Sequence, residues 1–298
     1  MPPLMDSFAG KRLVIFGCGY LGTAVAQRAL KAGMHVVALT RNRETAGHLA
    51  GLGVEPLVAD LAEEGWHSHL AAQPDFVLNC VSSGGGGVDA YRRSYVAGMR
   101  SIVAWARKSG SVGTLVYTGS TSVYPQDGGV IVDETAPTGG EAERPQLLRE
   151  AEALVSETPG AWQRWFILRL AGIYGPERSF LLEQIRRGEV AGNGDHHLNL
   201  IHRDDAVAAV LACFAAPSTV GSQVFNVADN GAAPKREVVS WVAQAVGLPN
   251  PVFSGEPAAG RRVITPDRII SNKKCQDVLG WRPGYPTFRE GYGSLLSR

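Results

Sequence analysis

The chain has 298 residues, enough to bury a full core in one large or two interleaved domains. A formal net charge of +1 gives no broad polyanion-binding surface, which makes nucleic acid and anionic membrane poor default partners. The opening MPPLMDSFAG lacks a long apolar core, no apolar run is long enough to span a bilayer, and Cys18, Cys80, Cys213 and Cys275 are too scattered for a metal or redox motif; we expect reduced thiols in a cytoplasmic protein.

In chain order, residues 13–16 read as a short apolar strand, 20–32 as a helix and 35–40 as a second strand. KRLVIFGCGYLG (11–22) is therefore the turn of a βαβ unit, and Gly17, Gly19 and Gly22 match G-x-G-x-x-G. Gly17 permits the tight turn, Gly19 lets backbone approach a pyrophosphate, and Gly22 lets the helix pack closely. Tyr20 and Leu21 open the helix, whose free N–H groups and positive dipole end suit that phosphate. Cys18 in this turn is either a reactive thiol or a plain turn residue. Further strands are expected at 55–59, 76–81, 114–118 and 165–170, with helices at 89–108 and 141–156. This alternation predicts an α/β fold: a doubly wound parallel sheet of Rossmann type with a smaller C-terminal substrate lobe. We place the dinucleotide domain at 1–172 plus about 201–229, and the substrate lobe at about 173–200 plus 230–298.

Ligands of such sheets sit beyond the strand C-termini. After the second strand come Thr40, Arg41, Asn42 and Arg43; the first acid, Glu44, lies beyond the place where a ribose-binding carboxylate is expected. Arg41 and Arg43, with the Thr40 hydroxyl, suit a 2′-phosphate, so NADP is the expected cofactor and NAD the alternative. Asp60 either accepts from the adenine amino group, with Leu61 against the ring, or caps a following helix turn. Val81, Ser82 and Ser83, followed by glycines at 84–87, put flexible backbone beside the expected cofactor. After the fifth strand, VYTGSTSVYP places Ser120, Thr121, Ser122 and Tyr124 where the nicotinamide belongs, either as candidates for hydrogen bonding a substrate oxygen or as a Ser/Thr turn with a packed Tyr124.

The second half is expected to hold helices at 180–187, 203–215, 234–247 and 271–280 and a strand at 224–227. His197, Asn199 and His202 alternate along a strand-like run, one wall of a substrate cleft or a polar edge strand. The neighbouring His196 adds no convincing metal geometry, and no metal is expected.

Five segments together resemble the extended branch of the short-chain dehydrogenase/reductase superfamily, the NAD-dependent epimerase/dehydratase family: FGCGYLG, VYTGSTSVYP, RLAGIYGPER (169–178), LIHRDDAVAAVLACF (200–214) and VFNVADN (224–230). The resemblance implies that Ser120 faces substrate and that Leu170, Ala171 and Gly172 flank the nicotinamide. It implies that Asp204 anchors a helix returning to the first domain, and that a basic residue such as Arg262 meets a substrate diphosphate, Arg261-Arg262 being otherwise two exposed charges. It also implies a homodimer through helices 89–108 and 143–156, and a nucleotide sugar or similar small carbonyl or hydroxyl compound as substrate.

One departure outweighs the matches. Aligning the helix on Ala151-Glu152 puts the family's Tyr-x-x-x-Lys pair at Arg144 and Leu148, in EAERPQLLREAEALV, which has neither tyrosine nor lysine. The family's asparagine in the preceding helix is Tyr95 here. Tyr124, Tyr95, Tyr91 and Arg144 are the candidate replacements. The expected activity is an atypical NAD(P)-dependent oxidoreductase or epimerase/dehydratase; the alternative is a non-catalytic NADP-sensing binding protein.

Overall fold

Strand β1 (Arg12–Phe16) is buried from Leu13 onward on both faces, as a central strand of a helix-covered sheet must be. Around it lie β2 (His35–Thr40), β3 (Glu55–Val58), β4 (Phe76–Asn79), β5 (Val112–Ser120), β6 (Trp162–Leu170) and β7 (Gln223–Val227). The computed structural model describes residues 8–70, 73–85, 87–110, 112–256 and 266–296. These seven strands form one sheet in the order β7-β6-β5-β4-β1-β2-β3. The strand order reverses beside β1: Val14 pairs in parallel with Val37 of β2 on one side and Val77 of β4 on the other. Reversal at this place opens the crevice in which doubly wound sheets hold their ligands.

The chain divides into two compact units. The first comprises Met1–Val123, Thr138–Arg169 and Val207–Phe225; the second comprises Tyr124–Pro137, Leu170–Ala206 and Asn226–Arg298. In the first, the core under the sheet is aromatic, with Phe16 5.0 Å from Trp66 and 5.7 Å from Trp105 between ring centres. Its long helices are α1 (Tyr20–Lys31), α2 (Arg43–Gly51), α3 (87–108) and α4 (Glu143–Ser156). The α2 helix, which sequence patterning left unassigned, is set by Asn42, whose Oδ1 accepts from the N–H groups of Glu44 and Thr45 at 2.7 and 3.1 Å. The α3 helix is not uniform: Arg92–Ala97 forms a π turn. Ion pairs Arg92–Glu143 (2.9 Å) and Arg100–Glu150 (2.7 Å) join α3 to α4.

The second unit is built from α5 (Phe180–Arg186), the start of α6 (Arg203–Ala215), α7 (Lys235–Ala245), α8 (Lys273–Leu279) and α9 (Phe288–Leu296), with short strand pairs between them. Its core gathers Tyr174, Leu182, Ile185, Val238, Val242, Phe288 and Tyr292. Expected stops are in place: Gly247 (φ +70°) follows α7, and Gly280 (φ +63°) caps α8 in the left-handed conformation. Asp205 is the tying acid, its carboxylate accepting from Gly284 N–H at 2.6 Å and Tyr285 N–H at 2.9 Å, whereas Asp204 is paired to Arg203. The expected strand-like run 197–202 is broken. His197–Leu198 pairs antiparallel with Ala233–Pro234, and Leu200–His202 pairs in parallel with Gly172–Tyr174. His202 is buried, its ring 3.9 Å from that of Tyr285, and so does not share an open wall with His197.

Candidate functional site

The glycine turn after β1 is shaped by close approach. Gly17 has φ +90°, and a Cβ there would lie 2.5 Å from Val81 N. A Cβ on Gly22 would lie 2.6 Å from the Gly17 carbonyl oxygen and 2.9 Å from Cys80 Sγ, so this glycine protects the turn and the end of β4. Gly19 meets nothing within 4 Å: its face is open, as a backbone approached by a ligand must be. Gly19 also caps α1 and, having no side chain, makes no side-chain cap hydrogen bond to the helix start. The N–H groups there can hold an anion. The residues present therefore fit a dinucleotide pyrophosphate. Burial pushes the Cys18 thiol up to about 11, and Cys80, also raised by burial, donates to the Gly17 carbonyl at 3.1 Å; neither is a thiolate nucleophile.

At the end of β2, Arg41 and Arg43 are exposed, and Arg43 begins α2. The Thr40 hydroxyl accepts from Asn42 N–H at 3.3 Å. Asp60 caps the next turn, accepting from Ala62 N–H at 2.9 Å, and its other oxygen takes the Arg93 guanidinium at 3.0 Å. Burial raises its carboxyl, but the Ala62 N–H and Arg93, with Arg41 nearby, hold it below the usual value. Leu61 is buried, 3.0 Å from where a Cβ on Gly98 would stand. Val81 N–H donates to Asn79 Oδ1 at 3.2 Å, Ser82 is exposed, and Ser83 is half-buried.

Beyond β5, Ser120 is half-buried and its Oγ accepts from Ser122 N–H at 3.1 Å; Thr121 is buried. Tyr124, in the second unit, is 1% exposed and donates to Asn226 Oδ1 at 2.8 Å, a core bond that leaves its phenol unsuited to meet a substrate. Also in the second unit, Leu170 is buried, and Gly172 is exposed with its N–H on the Asn199 carbonyl at 2.9 Å.

His197 Nδ1 bonds Asp267 Oδ1 at 2.7 Å. Asn199 is a clamp: its amide donates to Arg268 O at 2.9 Å and accepts from Ile270 N–H at 2.7 Å. Arg261 and Arg262 lie outside the described residues.

The glycine cradle, the reversal of strand order beside it and the open helix end form one arrangement. The model of the NAD dependent epimerase/dehydratase family matches residues 13–228. The chain belongs to this family. Protein YeeZ of Escherichia coli (strain K12) is 26% identical over 93% of this chain and 97% of its own. A 2-alkyl-3-oxoalkanoate reductase of Stenotrophomonas maltophilia is 28% identical over 80% of this chain and 76% of its own. The solved structure of MoeE5 in complex with UDP-glucose and NAD shares the fold, at a TM-score of 0.81 and 23% identity over 97% of this chain and 98% of that one. Helix α4 of this family member, Glu143–Ser156, contains neither tyrosine nor lysine.

The signal sequence reasoning missed is Glu152. Its carboxylate forms a buried pair with Arg169, with Arg169 Nη2 to Oε2 at 2.7 Å and Nε to Oε1 at 3.0 Å. A charged residue in an otherwise buried helix face, opposite an arginine in a buried strand, was the available clue.

Proposed function

We propose that the protein is an NADP-dependent reductase of a small carbonyl compound. The observation that carries this reading is the open, side-chain-free Gly19 face at the start of α1, with two exposed arginines at the neighbouring strand end. Gly17, Gly19 and the first N–H groups of α1 would hold the pyrophosphate; Arg41 and Arg43 would hold the 2′-phosphate. A bound reduced nicotinamide supplies hydride. Ser120 would then hydrogen-bond the substrate oxygen, and Leu170 and Gly172 would border the ring. The reductase named above favours a β-keto acid or its derivative as substrate, and UDP-glucose on MoeE5 favours a nucleotide sugar, which would use His197 and the Arg262 region. Pairing of two copies through α3 and α4 belongs to the same proposal and rests on family membership.

Calorimetry with NADP+ and NAD+ tests the cofactor reading. Arg41→Ala should weaken NADP+ by about tenfold or more, as expected for a lost charge-assisted contact, and leave NAD+ nearly unchanged. Equal losses for the two would reject the 2′-phosphate role. A second reading, an NADP sensor without turnover, is favoured by the absence of tyrosine and lysine from α4. It requires NADP+ affinity with no NADPH consumption on any carbonyl compound.

A further inference from the structure

A reductase needs a proton donor as well as hydride, and α4 carries no phenol. The tyrosines near the carboxyl ends of the strands are not equivalent. Tyr117 on β5 is 1% exposed, and burial holds its phenol well above its usual range. Tyr124 is spent on Asn226. Tyr95 is half-buried and sits on the π turn Arg92–Ala97; such turns recur at functional sites because they re-aim a side chain out of helical register. The Ser83 N–H, just beyond the end of β4, lowers its phenol against the effect of burial, which sets the phenol near the carboxyl edge of the parallel sheet. One turn earlier, the Tyr91 ring lies 5.1 Å from the Tyr95 ring, and the Arg144 guanidinium lies 5.1 Å from the centre of Tyr91. Helix α4 packs against both this π turn and Thr121–Val123, so the tyrosine pair and the Ser120 segment share one neighbour.

We propose that Tyr95 is the proton donor of this protein, with Tyr91 and Arg144 as positioning residues that fix its ring. The proposal rests on the reductase reading above. As the carbonyl carbon gains hydride from a reduced nicotinamide, the carbonyl π pair becomes an oxygen lone pair and the Tyr95 O–H bond breaks toward that oxygen. The Tyr95 phenolate then recovers a proton from water; the carbonyl has been reduced to an alcohol and the nicotinamide oxidised. Burial and the Tyr91 phenol push Tyr95 up to about 12, against the Ser83 N–H, so it holds its proton at neutral pH. No lysine on α4 lowers it.

The test uses the full chain, NADPH and an α-methyl β-keto ester as probe. Tyr95→Phe should lower kcat by about a hundredfold or more, with KM and the calorimetric Kd for NADPH within about a factor of three. Independently of turnover, ultraviolet titration of the free protein should lose a late-ionising phenol in Tyr95→Phe. In Tyr91→Phe that phenol should ionise earlier, because its neighbouring phenol is gone. A Tyr95→Phe variant within about threefold of the parent in kcat, or one that has lost NADPH affinity, overturns the assignment while leaving the reductase reading intact. A parent protein that binds NADPH and consumes it with neither the probe nor any other carbonyl compound, keto sugar nucleotides included, overturns both.

Discussion

Asp229→Asn should stabilise the protein near pH 8 by about 4 kcal/mol more than it does near pH 4. Asp229 is 4% exposed; its Oδ1 accepts from Gly231 N–H at 2.9 Å, and its Oδ2 is buried with no partner among the described residues. Burial first, and then the Asp205 and Glu290 carboxylates, push its carboxyl up from 3.8 to about 7 against the Gly231 bond. The folded chain thus binds this proton more tightly than the unfolded chain. Its contribution is fully present below about pH 3.8 and is lost as pH rises through about 7. The rise, at about 1.36 kcal/mol per pH unit, gives the figure of about 4 kcal/mol. Asparagine keeps the acceptor for Gly231 and carries no charge at either pH. Urea denaturation of parent and variant, run in parallel across this range, reads the difference, and thermal midpoints should diverge by about 6 °C between the two ends. A stability difference that does not change with pH would refute the buried-carboxyl argument.

Two further variants probe the first unit. Gly22→Ala places a methyl 2.6 Å from the Gly17 carbonyl oxygen, so it should cut affinity for both NADP+ and NAD+ and lower the thermal midpoint; undiminished binding by calorimetry would show that the turn can yield. Ser120→Ala should lower kcat for the β-keto ester by about tenfold with NADPH affinity kept, measured by NADPH consumption; an unchanged kcat removes Ser120 from the chemistry.

The parts of the fold legible in the sequence are those whose physics is local. The glycine turn could be read because steric exclusion at Gly17 and Gly22 acts within a few residues or on the adjacent strand end. The apolar strands could be read because both faces of β1 and β4 are buried. The π turn at Arg92–Ala97 could not; it lies against α4, some fifty residues away along the chain, and no local pattern marks it. Asn199 is similar. Its alternation with His197 suggests a common wall, yet its amide is fixed by the backbone of Arg268 and Ile270, and the strand breaks there to change partner. Strands of two or three residues carry no periodicity for a sequence reading to find.

The likeness to the family and the departure from it fall on different kinds of residue. Ala151 and Glu152, which align α4, are both buried, and Glu152 is pinned by Arg169 in β6. Gly119 leaves room for that carboxylate, since a Cβ there would stand 3.0 Å from Glu152 Oε1. Removing one partner of such a pair costs about 3–5 kcal/mol, because the other charge is left buried alone. These residues therefore hold α4 on the sheet whatever its first turn contains. Leu148, at the position the resemblance gives to lysine, is simply buried, and Arg144 stacks on Tyr91. A scaffold kept by packing and one buried ion pair can thus persist while the groups at its ligand-facing end change. Family membership speaks for the scaffold, and the reaction, as proposed above, would be decided by the side chains of α3.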